Sequence, residues 1–94
     1  MILGAIIQQP AERKDYDLDF TNWFGNSGDT LVSTEVTSSP AGLNVTAVIA
    51  SPTRVKLWIS EGVDGTEYSV EVTSTTAAGR IKQDELAVRI LEFV

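Results

Sequence analysis

Ninety-four residues, 43% hydrophobic and 21% charged, suit one domain with a single small core. Thirteen Asp and Glu against seven Lys and Arg give a formal charge of −6, the wrong sign for the phosphate attraction that drives nucleic-acid binding. With no His and no Cys there is neither a disulfide framework nor a thiolate metal site, and the usual base of a nucleophile–base pair is missing.

The chain opens MILGAII, which has no basic region and is too short to cross a bilayer, so we expect no signal peptide, no membrane anchor and no membrane partner. Residues 1–12 admit two readings. One is an extended arm that adds a strand to a neighbour's sheet edge, with Ile2, Leu3, Ile6 and Ile7 as partner-binding residues. The other is the first strand of the chain's own sandwich, whose body is then residues 13–94. The far end, Leu91-Glu92-Phe93-Val94, is apolar as well, and Phe93 joins the expected partner contacts.

From Asp15 onward the dominant period is two, the pattern of half-buried strands. Tyr16, Leu18 and Phe20 alternate with Asp15, Asp17 and Asp19. After a break at Asn26–Gly28, a second run places Val32, Thr34 and Val36 on one face and Leu31, Ser33, Glu35 and Thr37 on the other. It ends at the turn Ser39-Pro40-Ala41-Gly42. Leu43, Val45, Ala47 and Ile49 make a third strand, and Val55, Leu57 and Ile59 a fourth beyond Ser51-Pro52. Tyr68, Val70 and Val72 are the inward set of a fifth. The last segment, KQDELAVRIL, leans helical by propensity, but Leu86, Val88 and Ile90 step by two, and a short Ala78-Gly79 corner joins it to a strand in need of a partner. Helical spacing is weak throughout. Short strands with turns every roughly eight to twelve residues predict an all-β fold, an Ig-like β-sandwich of about seven antiparallel strands.

Individual residues carry structural readings more readily than chemical ones. Tyr68 follows the tight loop Gly62–Gly65 and starts the penultimate strand, where such sandwiches use a tyrosine whose hydroxyl returns to the preceding loop. Asp15, Asp17 and Asp19 open like a calcium loop, but the sixth and twelfth positions hold Phe20 and Asn26 instead of Gly and Glu. Charges that deter edge-to-edge pairing explain them better, and no metal is expected. Asn44-Val45-Thr46 matches the glycosylation sequon and reads as polar strand residues. Trp58, on the face opposite Leu57 and beside Arg54 and Lys56, is a candidate partner-binding anchor. Nucleotide-binding and zinc-protease motifs are absent, as is a Ser-x-x-Lys pattern, so we expect no enzyme and no cofactor.

Read in order, Gln9-Pro10, DYDLDFTNWF from Asp15 to Phe24, Gly28-Asp29-Thr30-Leu31, Ser39-Pro40-Ala41-Gly42-Leu43, VKLWIS from Val55, GTEYSVEV from Gly65 and TTAAGR from Thr75 resemble a family of small tailed-bacteriophage structural proteins. Its members are Ig-like virion proteins described as tail accessory factors or fibre-tail adaptors. One departure is Ser60-Glu61-Gly62, where the family's usual Ser-Gly-Gly is expected. The resemblance implies a non-enzymatic virion component that binds other virion proteins at the neck or tail accessory layer, as a homo-oligomer or in many copies. The alternative within that class is a capsid decoration protein on the head lattice. A carbohydrate-binding module is the alternative outside it, and it needs Trp23, Trp58 and Tyr16 on one exposed surface.

Overall fold

The alternation of apolar and polar residues becomes strand almost everywhere it occurs. A computed structural model describes residues 2–92, and among them the order is β1 (Ile2–Gln8), β2 (Arg13–Asp19), α1 (Thr21–Phe24), β3 (Leu31–Ser39), β4 (Leu43–Ser51), β5 (Arg54–Glu61), β6 (Glu67–Thr76) and β7 (Ile81–Ile90). Two sheets form, a four-stranded one in the order β1-β7-β6-β3 and a three-stranded one in the order β2-β5-β4. The fold is an all-β sandwich.

The core lies between the central strands. Val55, Leu57 and Ile59 of β5 face Tyr68, Val70 and Val72 of β6 and Leu86, Val88 and Ile90 of β7, all of them buried. Each buried Val, Leu or Ile is worth about 1.5–3 kcal/mol relative to leaving it in water. Phe20, Phe24 and Leu31 close one end of this cluster. At the other end Tyr68 is 1% exposed, and its hydroxyl accepts the Val63 N–H at 3.0 Å, the tyrosine device expected there.

Three details differ from a plain reading of the pattern. Ile2–Gln8 pair with Glu85–Ile90 of β7, so the opening segment is a strand of the chain's own sheet and not an extended arm. That pairing is also parallel, whereas β2 with β5, β4 with β5, β3 with β6 and β6 with β7 are antiparallel. In β3 the ladder shifts between Leu31 and Ser33. This bulge puts Leu31, which strict alternation places opposite Val36, on the buried side, and leaves Val32 55% exposed. The single helical turn α1 is the third difference. Asp19 Oδ1 accepts the Thr21 N–H at 2.9 Å and swings the chain out of β2.

A cleft between the two edge strands

β1 and β2 are edge strands of different sheets on the same side of the sandwich, and the seam between them is only partly filled. A cleft of about 500 Å³ opens there. Its walls are Ile6 from β1, Tyr16 and Leu18 from β2, Phe20 and Trp23 around α1, and Leu86 from β7; Asp17, Asp19 and Asn22 also line it. Asp17 and Asp19 are exposed, so the cleft has mostly apolar walls and is acidic at its mouth.

Lys82 also lines the cleft, and only 8% of its side chain is exposed. Its ammonium lies 2.9 Å from Asp84 Oδ1 and 5.5 Å from the ring centroids of both Phe20 and Trp23. Asp84 is 1% exposed, and its other oxygen has no hydrogen-bond partner among the described residues. A buried pair of this kind costs desolvation that its mutual attraction only partly repays. It was legible in advance: extending the step of two backwards from Leu86 puts Asp84 and Lys82 on the inner face as well.

Trp23 is held from both sides. The Arg80 guanidinium lies 4.8 Å from its ring, and Phe24 meets it edge-on at 5.0 Å. Arg80 is itself anchored by Asp29, with Nε 3.1 Å and Nη2 3.0 Å from Oδ2. The Ala78 and Thr30 N–H groups donate to Asp29 Oδ1 at 3.0 and 2.9 Å. The Asp29 carboxyl is lowered to about 2, by the Thr76 hydroxyl first and, against the opposing effect of burial, by the two amides and Arg80.

Gln8 sits beside Tyr16 at the join between the sheets and is fully buried. Its Nε2 donates to the Ile59 carbonyl at 2.9 Å and to the Glu12 carbonyl at 3.0 Å, and its Oε1 accepts the Tyr16 hydroxyl at 2.9 Å. Burial raises the Tyr16 phenol above its ordinary value, which keeps it protonated as the donor. Neither Gln8 nor the Asp29–Arg80 pair stands out in a sequence, because a buried glutamine and a cross-loop ion pair have no period.

The aspartates of β2 alternate on the outer face of the three-stranded sheet. Lys56 lies 3.1 Å from Asp15 and 3.9 Å from Asp17, and Arg54 lies 3.3 Å from Asp19. They line an edge strand beside cations, and among the described residues no group of three or more acidic side chains is arranged to hold a metal ion. Trp58 is on that same outer face, half-buried, with the Arg13 guanidinium 4.3 Å above its ring.

Of the expected partner contacts, the three whose side chains are described, Ile6, Ile7 and Trp58, do not converge. Ile6 packs against the core and lines the cleft, Ile7 is 53% exposed, and Trp58 belongs to the other sheet. Ile2 and Leu3 lie in β1, their side chains outside the described set, and Phe93 lies outside the described residues. Tyr16 and Trp23 share the cleft, while Trp58 is on the opposite face of the β2–β5 ladder from Tyr16, so these three aromatics form no single platform.

The family described as podophage GP4 fiber-tail adaptor protein gp77 matches residues 8–89. No curated protein matches the chain. Among solved structures, a 2,6-sialyltransferase of the vibrionaceae Photobacterium sp. JT-ISH-224 is similar at a TM-score of 0.56 and 7% identity. That alignment covers 97% of this chain, which spans only 17% of the sialyltransferase, and the likeness is one of fold alone. Amebosin aligns over 95% of both chains at 15% identity with a TM-score of 0.45. The chain belongs to the fiber-tail adaptor family, and it is a structural component of a phage tail.

Proposed function

We propose that this tail protein is a non-enzymatic adaptor of the neck or tail accessory layer, which grips a neighbouring virion protein through the β1–β2 cleft. The observation that carries the reading is the cleft's chemistry, apolar walls of Ile6, Leu18, Trp23 and Leu86 beneath a mouth bearing Asp17 and Asp19. An aliphatic or aromatic side chain fills such walls, and Lys or Arg beside it meets the two carboxylates. Asp17 has the looser ion pair of the two, 3.9 Å from Lys56, and is the more available to a partner. Family membership supports the structural role, and the lack of His and Cys accords with the absence of catalysis.

The Ig-like reading of the sandwich rests on its strand order. β2-β5-β4 and β7-β6-β3 repeat the B-E-D and G-F-C orders of immunoglobulin domains, and Tyr68 occupies the corner position of the penultimate strand.

The test is particle assembly with Asp17→Lys and Leu18→Glu, both variants first shown to be folded by circular dichroism. The expected result is loss of the protein from purified virions. Normal incorporation of both variants rules the cleft out. Tail-less heads address the capsid decoration alternative, because a protein of the head lattice stays on them and a tail accessory protein does not.

A further inference from the structure

The two edges of the three-stranded sheet are built differently. β2, RKDYDLD, carries five charged residues in seven, whereas β4, LNVTAVIAS, carries none in nine. Charge on an edge strand keeps other strands away, and an uncharged edge without an interior proline leaves its backbone groups open to pairing. β4 is such an edge from Leu43 to Ile49, beyond which its ladder with β5 shifts register before Ser51, and Val48 and Ile49 on it are 49% and 37% exposed. Val32, 55% exposed, lies at the same end, where the Leu31 N–H donates to the Pro52 carbonyl at 2.8 Å.

The geometry points to a second copy of this chain as the partner of β4, paired antiparallel across a two-fold axis. Two molecules that each carry −6 repel, so they meet most readily along a strip without carboxylates. β1 is the other uncharged edge, but it adjoins the acidic β2, and two copies meeting there would bring their aspartates together. The strand beside β4 is β3, with Glu35 as its one carboxylate.

The β4 sequence is also complementary to itself. With the axis at Ala47, Ile49 lies opposite Val45 of the second copy and Val48 opposite Thr46, and each pair occurs twice, as two-fold symmetry requires. These are β-branched cross-strand pairs, which stabilise antiparallel ladders. The two three-stranded sheets then run on as one of six strands, and the β1–β2 cleft stays open at each far edge. This pairing does not depend on what the cleft binds.

Sedimentation velocity of the full chain over about 1–200 μM tests the pairing at the affinities ordinary for such contacts. Wild type is expected to shift from monomer to dimer in that range. Thr46→Lys/Val48→Lys, which changes exposed positions and brings four ammonium groups together across the axis, is expected to weaken self-association at least tenfold, with an unchanged thermal midpoint at the dilute end of that range, where the wild type is monomeric. Mixing it with Thr46→Glu/Val48→Glu restores a dimer that neither variant forms alone, and this separates pairing from any general loss of stability. Ile7→Lys on β1 leaves the dimer intact. A wild type that stays monomeric throughout, a dimer unaffected by the β4 charges, or a dimer lost through Ile7→Lys each overturns the proposal.

Discussion

The side-chain amide of Gln8 donates to the main-chain carbonyl of Ile59 at 2.9 Å, joining β1 of one sheet to β5 of the other. Gln8→Leu keeps the volume but takes the amide away from the Ile59 and Glu12 carbonyls and from the Tyr16 hydroxyl. A cost of about 2–4 kcal/mol is expected, since each stranded buried polar group costs about 1–3. Urea denaturation of the variant measures it. Deleting residues 2–8 removes the whole β1 ladder as well, and the truncated chain is expected to unfold or precipitate; a cooperative melt at the wild-type temperature would contradict the pairing of β1 with β7.

Tyr68→Phe deletes only the hydroxyl that accepts the Val63 N–H at 3.0 Å and leaves the ring in the core. The expected loss is about 0.5–1.5 kcal/mol, the net range of a hydrogen bond whose donor, in the exposed Val63, can turn to water. Thermal melts of the two proteins side by side suffice, and an unchanged midpoint refutes the role.

Asp29 links stability to acid. Its folded pKa of about 2 is below the ordinary 3.8, so the folded state favours the charged form, and its contribution is complete above pH 4–5 and lost as pH falls towards 2. Asp29→Asn should therefore melt well below wild type at pH 7, with the gap closing between about pH 4 and pH 2. A gap independent of pH would mean that the carboxylate charge is irrelevant.

Calcium and EDTA are both expected to leave the melting temperature where it is. Asp15, Asp17 and Asp19 already face Lys56 and Arg54, and a cation bound only by the folded state would have to raise the midpoint. A rise of several degrees with calcium is the contrary result.

Glu61 has φ 64, in the left-handed region that favours glycine, at the position where the related phage proteins are expected to carry one. Glu61→Gly is expected to be neutral or to stabilise by up to about 1 kcal/mol. The next residue allows no such change: at Gly62, φ +95, an added Cβ would lie 2.8 Å from Ile90 Cγ1. Gly62→Ala should destabilise, and the two variants compared by melting temperature show whether backbone strain sits at Glu61.

The sequence by itself determined the all-β class, the strand positions and most of the core. Alternation along β5, β6 and β7 is a local property, imposed by side chains that point to opposite faces at every step, and it needs no knowledge of neighbours. The place of Tyr68 followed from the same logic, because its loop and its strand are contiguous. The tertiary structure alone decided whether Ile2–Gln8 reach outward or join β7, since an apolar segment satisfies its backbone equally well on either sheet edge, and the choice turns on β7 and on Ile59, far away in the chain. The bulge after Leu31 and the cleft were likewise beyond local pattern. The first depends on how β3 registers with β6, and the second on how far apart β1 and β2, edges of two different sheets, come to rest.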